Sequence, residues 1–296
     1  YSILHGKLFT LISKPQLDLG ETWKFEDDQD AALLGKISEG TKTLAEISKR
    51  IFQGIASGKD EVFYVDEDTI RQNNLEAELL KKIYKGKDIK KYKASWSGYR
   101  VIYPYKNNTL ISENTLKEQY PNTYAYLVNC KELLSGRGYF EKSSKQWYEL
   151  WNQRNSNNFE EPLKIITAEI NKNNNFFIDT EKAYGNTKIY TIILKSKDEE
   201  MYYYVLGILN SPILEYYYKK NSVPKAGGFY AFKTQFMEFM PIKNIDMTSS
   251  EYKLIIKLTR ELCANYEAGK EDELNEIIYR VYGITAYEKE IIERIK

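Results

Sequence analysis

Short segments of helical and of strand-like hydrophobic periodicity alternate irregularly along most of this 296-residue chain, between residues 51 and 219. After Pro241 the pattern changes, and three helical segments follow one another to the end of the sequence. Neither period is sustained along the chain, and no unit of 20 to 50 residues recurs, so a repeat protein is excluded. The pattern predicts a mixed α/β fold: an irregular mixed sheet followed by a small helical C-terminal appendage.

Periodicity also places the individual elements. Helices are predicted over residues 28–38, 75–83, 120–134, 199–209, 212–219, 252–266, 270–282 and 287–295. Strands are predicted as a pair joined by a short glycine-bearing loop within residues 51–65, and singly over residues 100–104, 164–170, 176–179 and 188–194. Ser211 before Pro212 predicts one helix start, and Thr285 with Glu288 has the spacing of a capping box at another.

The net charge of the whole chain is uninformative, but the net charges of its segments differ. The 43 basic and 42 acidic side chains nearly cancel, but residues 1–48 and 234–296 each carry a net charge of −3 and residues 49–233 carry +7. Basic residues are densest over residues 81–154, which begin with Lys81, Lys82, Lys85, Lys87, Lys90, Lys91 and Lys93. This segregation indicates a polyanionic partner, although for any single lysine a solvated surface position is an equal alternative.

Several classes of protein are excluded by composition. No apolar run approaches the roughly 18 residues that a membrane span requires, so no membrane partner is expected. The single histidine, His5, and the widely separated Cys130 and Cys263 cannot supply a structural zinc site, and they favour a reducing, cytoplasmic setting. A start at Tyr-Ser-Ile without Met suggests a piece of a longer protein. We therefore divide the chain into a lead-in from an upstream domain (1–48), a central domain (49–240) and the helical appendage (241–296).

Common catalytic motifs are absent or incomplete. The stretch from Gly54 to Asp60 resembles a phosphate-binding loop, but three residues rather than four separate its glycines, and Asp60 stands where a hydroxyl is required. A turn between strands is the simpler interpretation, with Lys59 still able to meet a phosphate. The sequence has no GxSxG or HExxH, and no Asn-Pro-Pro-Tyr or Asp-Pro-Pro-Tyr segment to grip a target amino group. Glu251 and Lys253 form half of a nuclease-like pattern at a helix start, where a solvated position is favoured.

A recognition surface remains. Cationic and aromatic residues are interleaved between residues 137 and 154, as nucleic-acid binders require, although most of these aromatics are expected in the core, with Trp147 and Trp151 the clearest case. The residues predicted to hold phosphates are Lys59, Lys87, Lys90, Lys91, Lys142, Lys145 and Arg154. Base reading is assigned to Arg137 and to the glycine-bearing segment with Lys225, Gly227, Gly228, Tyr230 and Lys233.

The order of several short motifs resembles the TaqI-like C-terminal specificity domain, the target-recognition domain of adenine-specific DNA methyltransferases and fused type IIG restriction-modification enzymes. The resemblance spans about residues 45–245, and type I specificity subunits are more distantly similar. It is carried by the series Ile51-Phe-Gln-Gly-Ile-Ala-Ser-Gly-Lys-Asp60, Gly86-Lys-Asp-Ile89, Tyr103-Pro104-Tyr105, Tyr120-Pro121, Lys142 to Tyr148, Lys164-Ile-Ile-Thr167, Leu206-Gly-Ile-Leu-Asn-Ser211 and Gly227-Gly228-Phe229 to Pro241-Ile242.

The resemblance implies an α/β recognition domain that clamps duplex DNA against a separate catalytic domain, which uses S-adenosylmethionine and flips the target adenine out of the stack. We therefore expect this chain to recognise duplex DNA without being an enzyme, and to hold no cofactor or metal. The implied partners are duplex DNA and an upstream methyltransferase domain of the same chain, which would carry S-adenosylmethionine, and magnesium as well if the parent protein cleaves DNA. Two alternatives stay open: a protein-interaction module that docks a catalytic partner, and a nuclease or methyltransferase in its own right.

Overall fold

The computed structural model describes residues 2–4, 7–9, 28–140 and 142–294. The helices in these ranges are α1 Asp28–Ser38, α2 Leu44–Ile47, α3 Asp60–Phe63, α4 Glu67–Asn73, α5 Glu113–Gln119, α6 Pro121–Asn129, α7 Lys131–Ser135, α8 Ser156–Phe159, α9 Glu199–Leu209, α10 Pro212–Asn221, α11 Thr234–Met237, α12 Ser250–Ala264, α13 Ala268–Val281 and α14 Ala286–Glu293.

The strands in the same ranges are short, and each contains two to six residues. They are β1 Ser2–Leu4, β2 Lys7–Phe9, β3 Thr41–Thr43, β4 Ser48–Gln53, β5 Tyr64–Val65, β6 Leu80–Tyr84, β7 Ile89–Lys90, β8 Lys93–Ala94, β9 Arg100–Ile102, β10 Tyr105–Lys106, β11 Thr109–Leu110, β12 Lys164–Ala168, β13 Ile170–Asn171, β14 Phe176–Asp179, β15 Tyr184–Gly185, β16 Ile189–Leu194, β17 Pro224–Lys225, β18 Phe229–Ala231 and β19 Pro241–Lys243.

The central sheet is antiparallel and has the strand order β14-β12-β16-β4. Every residue of β12 and of β16 is buried, which is the pattern of a strand covered on both faces. Ile165 and Ile192 face one hydrophobic core, whereas Ile166 and Ile189 face a smaller cluster on the other side. The complete burial of β12 and β16, which includes the polar Lys164, Thr167 and Thr191, therefore reflects their central position.

The largest core lies between this sheet and a layer of helices. It contains residues of α1, α9, α10 and α12–α14, with α9 packed against both the sheet and α12. Gly207 on α9 allows the close approach, because a Cβ there would lie 2.5 Å from the hydroxyl oxygen of Thr259 on α12. The domain boundaries predicted near residues 48 and 241 stay predictions. This core contains residues from both sides of each boundary.

A second core lies around a mixed sheet with the strand order β15-β6-β9-β5, in which β15 is parallel to β6 and the other pairs are antiparallel. Residues of α3, α5, α6 and α7 pack against it, together with the buried ring of Tyr148. The observed mixture of helices and small sheets confirms the predicted mixed α/β class. Within the described residues, no helix is both long and apolar enough to cross a membrane.

Most predicted elements are confirmed, and the bounds of α1, α9 and β14 agree residue for residue. Ser211 caps α10 by accepting a hydrogen bond from the backbone N–H of Leu214, and Thr285 and Glu288 form the expected capping box of α14. These elements are the ones whose signals are local, since caps and amphipathic periods depend on residues within one or two turns. The predicted end of the last helix at residue 295 lies outside the described residues.

Two predictions were wrong. Residues 75–83 form a short 3-10 turn, Ala77–Leu79, that leads into strand β6, and not a helix. The strands predicted as a pair within residues 51–65 exist as β4 and β5, but they belong to different sheets, and the helical turn α3 lies between them. In both places pairing with a distant strand, β9 or β16, decides the conformation. A third prediction was incomplete, because the helix predicted over residues 120–134 is divided at Cys130 into α6 and α7.

A candidate nucleic-acid interface

Loops from distant parts of the chain meet at one end of the central sheet. Strand β12 ends where β16 begins, with Ala168 opposite Ile189, and β4 ends beside them, with Gln53 opposite Tyr190. The hairpin β17–β18 joins the same end, because β18 pairs with β13 directly after β12. We call this surface the loop edge and define it as residues 53–59, 86–87, 152–154, 169–172, 185–188 and 224–233.

Close backbone packing holds the first of these loops in place. Gly54 donates its N–H to the carbonyl of Ile189 at 2.9 Å, and a Cβ at Gly54 would lie 2.1 Å from the carbonyl oxygen of Gly185. Ile55 then donates to that same carbonyl of Gly185 at 2.8 Å. The glycine at position 54 is therefore required by contact with another backbone segment, and this accounts for it without a phosphate.

Cationic side chains surround this loop. Arg154, in the left-handed backbone region with φ of 58°, donates from Nε to the carbonyl of Gly54 at 3.2 Å and from its terminal nitrogen to Oε1 of Gln53 at 3.3 Å. The turn containing the exposed Lys87 lies next to Lys188, because a Cβ at Gly86 would be 3.6 Å from the Cβ of Lys188. Arg154, Lys87 and Lys188 are thus positioned by three separate segments.

The hairpin β17–β18 supplies an exposed tip. Gly227 and Gly228 have φ values of 77° and 75°, in the left-handed region that favours glycine, and both are exposed. Phe229 is partly exposed, and the ammonium group of Lys172 lies 5.2 Å from the centre of its ring. Tyr230 is half-buried beneath this tip. The tip therefore combines backbone that can approach another surface closely with an aromatic ring and a cation.

The predicted phosphate contacts are distributed unevenly. Of these, Lys87 is exposed on the loop edge, as are Lys225 and Lys233 of the predicted base-reading segment, and among the described residues none of the three forms an ion pair. Lys90 and Lys142 are also exposed, in the β7–β8 turn and in the loop after α7. The remaining predicted lysines have acidic partners: Lys59 pairs with Glu61, Lys91 with Glu271 on α13, and Lys145 with Glu149.

Arg137 is placed differently from the base-reading role predicted for it. Its side chain is buried, and the guanidinium donates to backbone carbonyls of Leu134, Ser57, Glu149 and Trp147 over 2.6–3.2 Å. Burial lowers its pKa to about 10. With its donors turned inward, Arg137 joins three segments of backbone, and we assign it a structural role in place of base contact.

The aromatic residues that follow Arg137 correct another expectation. Residues 147–151 do not form a helix, so Trp147 and Trp151 do not share a helical face. Trp147 is half-buried and donates its indole N–H to Glu113 at 3.2 Å, whereas Trp151 and Tyr139 are 40% and 43% exposed. The prediction that Trp151 lies in the core was wrong, because i, i+4 spacing places side chains together only inside a helix.

Three loop-edge residues were missed from sequence: Gln53, Lys172 and Lys188. Each stands within two residues of a strand end or beginning, and a search for polar residues at or just beyond the ends of the predicted strands would have found Lys172 and Lys188. Gln53 required knowledge of the sheet, since its side chain donates to the carbonyl of Thr187, 134 residues away. Within the described ranges, no group of three or more His, Cys, Asp or Glu side chains is arranged to hold a metal ion.

Type II methyltransferases are similar to this chain in sequence. The chain is 27% identical over 273 residues to the type II methyltransferase M.MjaIV of Methanocaldococcus jannaschii, covering 88% of each protein. It is 24% identical over 292 residues to the type II methyltransferase M.BanIII of Aneurinibacillus aneurinilyticus, covering 97% of this chain and 49% of that protein. The chain thus spans most of one methyltransferase and about half of another.

Two solved structures contain a similar fold. The type IIL restriction-modification enzyme MmeI, in complex with DNA, matches 86% of this chain and 36% of its own with a TM-score of 0.55 and 10% identity. The type IIG restriction endonuclease BpuSI matches 86% of this chain and 33% of its own with a TM-score of 0.51 and 11% identity. The TaqI-like C-terminal specificity domain matches residues 81–242, more than half of the sequence. The chain therefore belongs to the TaqI-like C-terminal specificity domain family.

Proposed function

We propose that this chain recognises a specific sequence in duplex DNA, as the target-recognition part of a restriction-modification adenine methyltransferase. The single observation that carries the proposal is the loop edge, where one end of the central sheet brings together a glycine-tipped hairpin and cations from separate segments. The structural likeness to MmeI, which was solved with DNA, and the relationship to type II methyltransferases support the same interpretation.

The charges of the loop edge suit a duplex backbone. Lys87, Lys172, Lys225 and Lys233 are exposed and have no ion-pair partner among the described residues, so their ammonium groups can meet phosphates without first breaking an ion pair. Contacts to phosphate position a protein on DNA but carry no sequence information. They account for affinity and for its dependence on salt.

Base reading falls to the hairpin tip and its surroundings. A two-stranded ribbon is narrow enough to enter the major groove of B-DNA, where each base pair presents a distinct set of donors and acceptors. The exposed backbone of Gly227 and Gly228 has no side chain to hold it away from a groove wall. Gln53, which lies beside Arg154, is a further polar candidate. Arg137 is not among the base readers.

Catalysis belongs to another domain in this proposal. Methyl transfer to adenine would take place in a methyltransferase domain that binds S-adenosylmethionine, and this chain would hold the duplex against it. Isolated chain is therefore expected to bind duplex DNA but neither to bind S-adenosylmethionine nor to cleave DNA with magnesium. Isothermal titration with S-adenosylmethionine and a cleavage assay with magnesium test the two enzymatic alternatives directly.

The recognition proposal is tested by selecting duplexes that bind the purified chain from a randomised library. Affinities for the selected sequence and for a scrambled duplex are then measured across a salt series. Enrichment of one motif, with weak binding to the scrambled duplex, is the expected result. Salt-dependent binding without any preferred sequence would contradict sequence recognition by this chain alone.

Charge reversal locates the surface. The variant with Lys87→Glu, Lys172→Glu and Lys233→Glu is expected to lose most duplex affinity and to flatten the salt dependence, because it removes three phosphate contacts. The matched control is Lys117→Glu with Lys253→Glu and Lys257→Glu, three exposed lysines on α5 and α12. Equal losses in both variants would show that net charge matters and the loop edge does not. Failure of the wild-type chain to bind any duplex would favour the alternative of a protein-interaction module.

A further inference from the structure

Two aromatic side chains stand together on the surface next to the loop edge. The rings of Tyr139 and Trp151 have their centres 4.4 Å apart and their planes inclined by 60°. Each residue is about two-fifths exposed, so both side chains are accessible to a partner. Asn152, the residue after Trp151, forms a β-bridge with Ala56. The pair is therefore continuous with the loop that begins at Gly54.

The pair is held rigidly from below. The hydroxyl of Tyr139 donates to the carbonyl of Gly58 at 2.9 Å, and the backbone N–H of Trp151 donates to the carbonyl of Ser57 at 3.2 Å. A Cβ at Gly58 would lie 2.8 Å from the hydroxyl of Tyr139, so this position needs both its left-handed φ of 79° and the absence of a side chain.

Phe140 and Arg137 form the layer beneath. The ring of Phe140 lies 5.7 Å from that of Trp151, and the guanidinium carbon of Arg137 lies 3.4 Å from the centre of the Phe140 ring. Arg137 is itself fixed by the backbone carbonyls described above. An aromatic pair anchored in this way loses little conformational entropy when it binds a partner.

The indole N–H of Trp151 differs from those of two other tryptophans. Trp96 and Trp147 both donate their indole N–H groups, to backbone carbonyls and to Glu113 respectively. The indole N–H of Trp151 has no hydrogen-bond partner among the described residues. A partly exposed ring whose N–H donor has no hydrogen-bond partner in the described ranges is suited to a flat, polar ligand.

We propose that Tyr139 and Trp151 form a stacking platform for a nucleobase displaced from the duplex that the loop edge binds; this inference rests on the proposed function. The face of a base inside a duplex is covered by its neighbours, so an aromatic ring reaches it only where a base is unstacked. Exposed cations next to exposed rings are the combination with which proteins hold unpaired bases. Lys142 is exposed in the turn after Phe140, and the half-buried Arg154 follows Trp151 by three residues.

The test measures binding of the purified chain to its selected duplex and to a series of duplexes in which one base at a time lies opposite an abasic site. An unpaired base costs less to displace, so at one position wild-type affinity is expected to rise at least about 5-fold. Trp151→Ala is expected to abolish this gain and to weaken binding to the matched duplex about 5- to 150-fold, the range for loss of one base stack. The salt dependence should not change, because no phosphate contact is lost.

Control variants separate stacking from folding. Trp151→Leu keeps an apolar contact with Phe140 but has no π face, and it should lose as much affinity as Trp151→Ala, while Trp151→Phe should lose less than either. Trp147→Phe changes a tryptophan that the proposal does not use and should bind like wild type. Thermal unfolding of each variant shows that it is folded.

Each outcome decides a separate point. Unchanged duplex binding by Trp151→Leu would overturn the platform and leave the recognition proposal intact. If Trp151→Leu lost duplex affinity but no unpaired position strengthened wild-type binding, Trp151 would contact DNA without binding a displaced base, and the proposal would be overturned. If wild type bound no duplex at all, both proposals would fail together.

Discussion

The Nζ atom of Lys164 lies 2.9 Å from Oδ2 of Asp179, and both side chains are fully buried. The pair joins the first residue of β12 to the last residue of β14, at the end of the central sheet opposite the loop edge. Asp179 also accepts the backbone N–H of Ala183 at 3.0 Å, and Lys164 donates to the carbonyl of Phe159. Burial lowers the pKa of Lys164, and Asp179 opposes that effect. The pair therefore fixes one end of the central sheet, and the loops of the loop edge lie at the opposite end.

Removing one partner of this pair should be costly. Lys164→Met leaves the carboxylate of Asp179 buried without a counter-charge, and the free energy of unfolding is expected to fall by about 3–5 kcal/mol. Urea unfolding of wild type and variant measures the difference. The matched control is Lys49→Met, whose exposed pair with Glu161 at 2.6 Å should contribute under about 1 kcal/mol. Similar losses in both variants would contradict the importance of burial.

Arg137 should tolerate no conservative replacement. Arg137→Lys keeps the charge but cannot reach four carbonyls from one group, and each buried carbonyl left without a donor costs about 1–3 kcal/mol. We expect a loss of about 3–5 kcal/mol in the free energy of unfolding. Arg71→Lys, at an exposed pair with Asp68, should change stability by less than about 0.5 kcal/mol in the same urea experiment. A loss below about 1 kcal/mol for Arg137→Lys would show that the network is not needed.

Two glycine substitutions should have opposite signs. Gly54→Ala places a Cβ within 2.1 Å of the backbone at Gly185 and should destabilise the protein by at least about 2 kcal/mol, because backbone cannot move aside cheaply. Gly35→Ala lies on the exposed face of α1, has no atom within 4 Å of the new Cβ, and should stabilise by about 0.5–1 kcal/mol. Thermal unfolding reports both changes, and a stable Gly54→Ala variant would refute the close approach.

Single lysines should differ in their effect on the salt dependence of duplex binding. Lys172→Ala and Lys87→Ala should each reduce the slope of log affinity against log salt by about 1, if each contacts one phosphate. Lys91→Ala should leave the slope unchanged, because its ammonium group pairs with Glu271 on α13. Fluorescence anisotropy across a salt series gives the slopes. The assignment of phosphate contacts would be refuted if Lys91→Ala had the largest effect.

The capping box of α14 should give a pH-dependent contribution. Burial by itself raises the pKa of Glu288, but hydrogen bonds from Lys36 at 2.6 Å and from the N–H of Thr285 outweigh it, so the pKa lies below 4.5. A carboxyl group whose pKa is lower in the folded state than in the unfolded state stabilises the protein at pH values above its unfolded-state pKa. This contribution disappears as the pH falls through the folded-state pKa.

Glu288→Gln tests that window. The variant should be about 1 kcal/mol less stable than wild type at neutral pH, the usual contribution of a helix cap, and the difference should shrink as the pH falls below 4.5. Urea unfolding at a series of pH values from neutral to about 3 measures it. A difference that stayed constant over this range would show that the charge of Glu288 contributes nothing.

Local sequence determined the elements whose signals lie within a few residues. Helix α9 begins after Asp198, whose side chain accepts the N–H of Glu200, and α10 begins at Ser211 and Pro212, so their bounds could be predicted. Short runs rich in β-branched residues marked β12 and β16 as strands, since this signal also lies within the run itself. The order of motifs along the chain identified the family in the same way, without any knowledge of contacts.

Tertiary structure decided what depends on partners distant in sequence. The apolar spacing of residues 75–83 fits a helix, and only pairing with β9 makes Leu80–Tyr84 a strand. Arg137 has the sequence context of a base reader, but carbonyls from residues 57, 147 and 149 surround its guanidinium and bury it. Charge segregation indicated a polyanion, yet which lysines are free was decided by acids such as Glu271, far along the chain. Sequence thus determined the elements and the family, whereas the surface that meets DNA in our proposal depends on long-range packing, which no local pattern records.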